Sequence, residues 1–245
     1  MADSKWLRTF HQSAAEAELV CFPPAGGAAS AYHALSGALT PTVQVLAVQY
    51  PGRQDRLGDR LCESIDDFAS AAAAEIKQRS GKPLAVFGHS MGATVAFETA
   101  RALEAAGLEL AHLFVSGRIP PHRSLGTSLH QGSDGDLLDR LEKLANEPEQ
   151  VQMLRDMPEI AEMILPAVRS DYKAVETYQF SGDTPCLSCP LSVFVSEDDP
   201  TVTLDEAKEW ERYSRGPFTL EVFPGRHFYL DIHTAKVAES IRRRL

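Results

Sequence analysis

The chain has 245 residues, 44% of them hydrophobic and 24% charged, with a formal charge of −10 at pH 7. That length and balance fit one soluble globular domain with a large core. The negative charge argues against nucleic acid or an anionic membrane as partner, and no apolar run reaches the roughly 18 residues of a membrane-spanning helix.

The first residues, Met1-Ala2-Asp3-Ser4-Lys5-Trp6, lack the basic and apolar segments of a secretory signal, which makes a cytoplasmic enzyme the expectation. Apolar and β-branched runs then predict strands over 6–10, 19–22, 43–48, 84–87, 112–116, 191–195 and 219–223. Helical spacing appears between them, over 31–38, 65–78, 91–106, 204–213 and 234–244. Strands alternating with helices imply an α/β fold with a mostly parallel sheet covered on both faces. The rhythm breaks once. From 120 to 184 there is no strand pattern, only helix-like pieces over 134–145, 149–157 and 158–178. An insertion of that length is expected to form a helical lid over the carboxyl ends of the strands, where open α/β sheets place their sites. Its apolar positions, among them Leu137, Leu138, Met153, Met157, Met163, Ile164 and Leu165, are expected mostly to pack it down.

Four cysteines in a chain this long do not suggest a disulfide framework. Cys186-Leu187-Ser188-Cys189 has Cys-x-x-Cys spacing, but a zinc site would want a second ligand pair. A thioredoxin-type motif would open a helix, whereas Pro190 and a strand follow. Arg242-Arg243-Arg244 reads as a solvated helix end whose cations suit the C-terminal dipole.

Chemistry concentrates at Gly88-His89-Ser90-Met91-Gly92, between a strand pattern and a helix pattern. A strand that turns sharply into a helix holds the central serine at its apex, and the flanking glycines let the two backbones approach. Ser90 is therefore the candidate nucleophile, and the acid and base should follow in the order Ser, Asp or Glu, His. His227, in the loop after the strand over 219–223, is the candidate base. His89 must leave the turn in another direction and is expected to pack or hydrogen-bond structurally. The loop Ser196-Glu197-Asp198-Asp199-Pro200 offers the acid, with Asp199 favoured over Asp198 three residues beyond the strand's last small residue. For the oxyanion, Met91 N–H follows the nucleophile, and the glycine-rich loop Pro23-Pro24-Ala25-Gly26-Gly27 offers Ala25 N–H. The Lys and Ser/Thr of a phosphate loop are missing there.

Together with Tyr50-Pro51-Gly52-Arg53-Gln54-Asp55-Arg56, Asp171-Tyr172-Lys173-Ala174-Val175-Glu176-Thr177-Tyr178 and Gly225-Arg226-His227-Phe228, these motifs resemble the type II thioesterases over nearly the whole chain. Those are discrete α/β-hydrolases serving polyketide synthases and nonribosomal peptide synthetases. The resemblance implies hydrolysis of acyl groups from the phosphopantetheine thiol of acyl or peptidyl carrier proteins, clearing stalled or mis-primed assembly lines through an acyl-serine intermediate. It implies no metal or nucleotide cofactor. Two positions depart from the family pattern, Pro24 where His is usual and Arg226 where Gly is usual. Arg53, Arg56 and Arg226 are candidate contacts for the arm's phosphate. A carboxylesterase, a chain-releasing thioesterase and an inactive hydrolase-like scaffold remain alternatives; an intact Ser, Asp, His order argues against the scaffold.

Overall fold

In the computed structural model, which describes residues 4–79 and 81–245, seven strands form one sheet. They are β1 (Leu7–Arg8), β2 (Ala17–Phe22), β3 (Val43–Val48), β4 (Leu84–His89), β5 (Leu110–Ser116), β6 (Leu191–Ser196) and β7 (Phe218–Phe223). Their order is β1-β3-β2-β4-β5-β6-β7, parallel throughout except that β1 runs antiparallel to β3. Every residue of β2, β3, β4 and β6 is buried, which is why these strands are mostly apolar, with a few buried polar residues such as Gln44 and Ser192 among them.

The period of two still sorts their side chains. Leu19 and Cys21 of β2 join the core beneath α1 (His33–Leu39) and α8 (Thr234–Arg242), through Leu35, Leu39, Val237 and Ile241. Val20 and Phe22 face the other way, toward Phe68 of α2 (Ile65–Ile76) and Val95 and Phe97 of α3 (Met91–Ala105). The insertion between β5 and β6 carries α4 (Asp134–Leu144), α5 (Pro148–Asp156) and α6 (Pro158–Glu176). Its helices start where the sequence stops them unravelling: Ser133 and Asp136 form a capping box, and Pro148 and Pro158 occupy first-turn positions that need no N–H. Leu137, Leu138, Leu165, Val168 and Tyr172 extend the core on the α2–α3 side, whereas Met153, Met157, Met163 and Ile164 are exposed rather than packed down. Among the described residues no helix is long and apolar enough to cross a membrane.

Two elements differ from expectation. The edge strand over 6–10 shrinks to Leu7–Arg8, because the Ser4 hydroxyl accepts the Trp6 and Leu7 N–H groups at 3.0 and 3.2 Å and turns the chain locally. The helix over 204–213 divides into α7 (Leu204–Lys208) and a 3-10 segment, Glu209–Tyr213. Three residues per turn brings Trp210 and Tyr213, both fully buried, onto one side.

Candidate active site

Ser90 sits between β4 and α3 with φ 56° and ψ −121°, a backbone conformation that a non-glycine residue adopts only under strain. The two glycines of the motif are sterically obligatory. A Cβ on Gly88 would lie 2.0 Å from the Gly92 carbonyl oxygen, and one on Gly92 would lie 2.0 Å from that of Phe22. The turn is thus wedged between the following helix and the end of β2. Ser90 N–H donates to Ser116 O at 2.8 Å, fixing it to β5 as well.

The loops after β6 and β7 are stitched together before their side chains meet. Glu197 N–H donates to Phe223 O at 3.0 Å, Asp198 N–H to Gly225 O at 3.1 Å, and the Ser196 hydroxyl to Arg226 O at 2.7 Å. This places His227 Nδ1 2.9 Å from Asp199 Oδ2 and 3.1 Å from Oδ1, with both side chains buried. Thr201 completes the group: its N–H and hydroxyl donate to Asp199 Oδ1 at 2.8 and 2.7 Å, and its Oγ1 lies 3.2 Å from His227 Nδ1. Burial alone would raise the Asp199 carboxyl, but the bonds from His227 and Thr201 outweigh it and hold it below the usual carboxylate range. Asp198 is exposed. On the other side of the imidazole, His227 Nε2 is buried and has no hydrogen-bond partner. A buried imidazole nitrogen left open in this way is costly unless something docks against it.

His89 does not join that pair. Its Nδ1 lies 2.9 Å from Ser116 Oγ, which is in turn 2.5 Å from the Tyr229 hydroxyl. Its ring centroid is 4.9 Å from that of His227, and burial, followed by the His227 charge, pushes its pKa well down, so it is neutral.

The glycine-rich loop after β2 faces Ser90. Ala25, Met91 and Ser90 line one small cleft with Gly117, Arg118, Ile119, Leu125, Arg140, Leu144, Tyr172, Val175 and Thr201. No hydrogen bond to another described residue uses the N–H of Ala25 or Met91. The loop is held from three sides. Tyr32 donates to Phe22 O at 2.5 Å and Tyr50 to Pro23 O at 3.4 Å. Arg53 Nε donates to Gly27 O at 2.9 Å, Asp171 of α6 accepts Gly26 N–H at 2.7 Å, and Arg53 and Asp171 form a buried ion pair.

That pairing gives Arg53 a role inside the protein, and Arg56 is partly engaged as well. Arg53 spends its guanidinium on Asp171, Gly27 O and Pro51 O, and Arg56 on Asp59 and Gln49 O while lying over the Trp6 ring. Arg53 is thereby held buried within the protein, whereas Arg56 Nη2 donates to no described residue. Arg226 is exposed and donates to Lys143 O at the end of α4 at 2.7 Å. Cys186 and Cys189 are free thiols whose pKa values burial raises.

Thr201, Asp171, Arg118, Arg140 and Tyr172 are site residues that motif reading did not assign. Asp171 and Tyr172 left a sequence signal, both lying in the motif over 171–178, with the Asp171 carboxylate in step with Val168 and Val175 on the buried face of α6.

A family model described as a thioesterase domain matches residues 17–245. The chain is 42% identical to thioesterase PikA5 of Streptomyces venezuelae, over 96% of this chain and 84% of that protein. It is 40% identical to a probable cadicidin biosynthesis thioesterase of Streptomyces griseus, over 99% of this chain and 66% of that protein. Among solved structures, the type II thioesterase BorB from the borrelidin biosynthetic cluster superposes with a TM-score of 0.89 at 40% identity, covering 100% of this chain and 99% of that one. YbtT, a type II thioesterase from the yersiniabactin pathway, gives 0.87 at 28% identity, over 98% and 97%. The parallel sheet, the serine turn and the helical insertion are those of the α/β-hydrolase fold.

Proposed function

The chain belongs to the thioesterase family and hydrolyses thioesters, and from that premise we propose that Ser90 is its nucleophile, His227 its base and Asp199 the group that orients the base. The observation that carries this reading is the His227 imidazole, anchored at Nδ1 by Asp199 and buried with an open Nε2. Asp199 fixes the tautomer with its proton on Nδ1, which leaves Nε2 basic, and then stabilises the imidazolium. Ser90 gives its proton to Nε2 and attacks the thioester carbonyl. The C–S bond breaks, the thiolate leaves with that proton, and the acyl group remains on serine. Water, deprotonated by the same nitrogen, then releases the acid. In both tetrahedral intermediates the N–H groups of Ala25 and Met91 hold the oxyanion, each worth about 3 kcal/mol of transition-state stabilisation. All of these groups belong to the protein, and phosphopantetheine arrives as part of the substrate. The insertion acts as the lid of this site.

The substrate is an acyl group on the phosphopantetheine arm of an acyl or peptidyl carrier protein. The relatives support this, BorB and YbtT belonging to biosynthetic clusters of that kind. On such a substrate, contacts with the arm and carrier lie remote from the reacting carbonyl and contribute to kcat/KM. The test compares one acyl group on a carrier protein, on a small thiol and as a matched oxygen ester. Carrier-bound thioester should be hydrolysed with the highest kcat/KM, and Ser90→Ala should abolish both turnover and fluorophosphonate labelling while the fold is kept. An oxygen ester hydrolysed as well as the thioester, with no gain from the carrier, would make the protein an esterase. Retained turnover in Ser90→Ala would overturn the nucleophile.

A further inference from the structure

Both neighbours of His227 are tied to one turn of the helical insertion. Arg226 Nη2 donates to Lys143 O at 2.7 Å, and the Asn146 side-chain amide donates to Phe228 O at 2.8 Å. Lys143 and Asn146 lie at and just beyond the end of α4, while the residues that they meet stand on either side of the base. Leu144, next to Lys143, is buried and lines the cleft at Ser90, as does Arg140 one turn earlier. The turn that forms part of the cleft wall is therefore also the turn that grips the base loop.

A helix leaves its last carbonyls without intrahelical donors, and the partial negative charge gathered there favours a cation. Arg226 meets that end of α4, and Asn146 adds a second bond from beyond it. On its other side the base loop is fixed to the sheet. Asp198 N–H donates to Gly225 O at 3.1 Å and the Ser196 hydroxyl to Arg226 O at 2.7 Å, while Tyr229 N–H closes the turn onto the same Arg226 O at 3.1 Å. Phe228 O, which also accepts Asp231 N–H at 3.2 Å, lies past those anchors. The Phe228 ring stands edge-on to His227 with centroids 5.0 Å apart, so a shift of Phe228 is passed to the imidazole.

We propose that Arg226 and Asn146 are positioning residues for His227: they latch the end of α4 to the base loop, so that the seating of the insertion over Ser90 and the aim of the imidazole are set together. The proposal rests on the reading of His227 as the base, and it gives neither residue a contact with substrate. It also separates Arg226 from a role in binding the arm's phosphate. Loss of a phosphate contact would leave a small thioester untouched, whereas loss of the latch slows every substrate that needs the base.

The experiment measures kcat and KM on a small thioester without phosphate and on a carrier-bound one, and follows amide hydrogen exchange across α4 and α5 on the same samples. Displacing a catalytic group by about 1 Å can cost about 10²-fold, and loss of both bonds by Arg226→Met with Asn146→Ala should lower kcat about tenfold on either substrate, with KM changing less. Exchange in α4 and α5 should quicken relative to β4 and β6. Both side chains are exposed, so the melting temperature should move little. Arg226→Lys, which keeps a donor, should recover part of the rate. In an Asp199→Asn background the aim of the imidazole is already lost, and the same double substitution should then lower kcat by less than about threefold. Unchanged kcat in the double variant, or a fall without any change in exchange, would overturn the latch. A loss confined to the carrier-bound substrate would overturn it in favour of a phosphate contact at Arg226. Equal losses in the two backgrounds would reduce the bonds to structural ones and overturn the positioning role. Asp199→Asn turning over at the wild-type rate would instead overturn the reading of His227 as the oriented base, a result separate from anything the latch variants show.

Discussion

Asp198 and Asp199 are neighbours in the chain, yet only one has surroundings suited to orienting an imidazole. Asp199 is buried, receives two hydrogen bonds from Thr201 and lies 2.9 Å from His227 Nδ1, while Asp198 faces solvent and contributes its backbone N–H to Gly225 O. Asp199→Asn should therefore lower kcat by about 10⁴, the scale known for the matching change in a serine protease triad. Asp198→Asn should stay within a few-fold of wild type, and steady-state rates on one small thioester check both; the reverse ranking would move the role to Asp198. Ser90, Asp199 and His227 were legible because each stands at a fixed offset from the end of a strand, and offsets of that kind survive in sequence. Thr201, Arg118 and Arg140 were not, because a threonine beside a carboxylate or an arginine in a cleft wall acquires meaning only from what the fold brings near it. Arg53 shows the converse: its charge was legible, but the partner that meets it, Asp171 at 118 residues' separation, was not.

At the scale of elements, α6 and the loop after β2 behave as one unit. Asp171 accepts the Gly26 N–H, one residue past the proposed oxyanion donor Ala25, and its partner Arg53 holds the Gly27 carbonyl. The Tyr50-Pro51-Gly52-Arg53 stretch thus has a physical purpose: the Tyr50 hydroxyl and the Arg53 guanidinium grip both ends of that loop. Asp171 is a positioning residue, and removing its charge leaves Arg53 buried and unpaired, a change that costs about 3–5 kcal/mol in such pairs. Asp171→Asn should lower both stability and kcat, with kcat falling about tenfold or more and KM for a small thioester changing less. The double substitution Arg53→Met, Asp171→Leu should recover much of the stability, because apolar replacement of a buried pair is often neutral, but not the rate. Melting temperature and kcat measured on the same samples separate the two effects, and a rate that recovers together with stability would reduce the pair to a structural strut. The helices of the insertion were legible from their caps and spacing. Their exposed Met153, Met157, Met163 and Ile164 were not, since apolar periodicity does not say whether a partner covers the face.

For the whole molecule, alternation of strand and helix was readable because the central strands are mostly apolar, whereas the order β1-β3-β2-β4-β5-β6-β7 is a matter of which strands pair, which local pattern does not encode. The same burial makes the sheet sensitive to acid through His112. This residue lies in β5, stacks on Phe114 with centroids 4.2 Å apart, and has Nε2 2.7 Å from the Ser192 hydroxyl, which is 2.7 Å from that of Thr219 on β7. Burial, with a smaller contribution from Arg244, lowers its pKa from 6.5 to about 4. Between those two values the unfolded chain binds a proton that the native sheet refuses, so the contribution of His112 to stability is complete above pH 6.5 and is lost as the pH falls toward 4. His89, also buried and held neutral, acts in the same direction. Over the step from about pH 7.5 to about pH 5, His112 alone should cost on the order of 2 kcal/mol. Urea unfolding at the two pH values should show wild type losing more stability than His112→Gln by about that amount, since the glutamine keeps a polar group near Ser192 without titrating. Parallel losses in the two proteins would mean that His112 accepts its proton in the folded sheet as easily as in the unfolded chain, and that the acid sensitivity lies elsewhere.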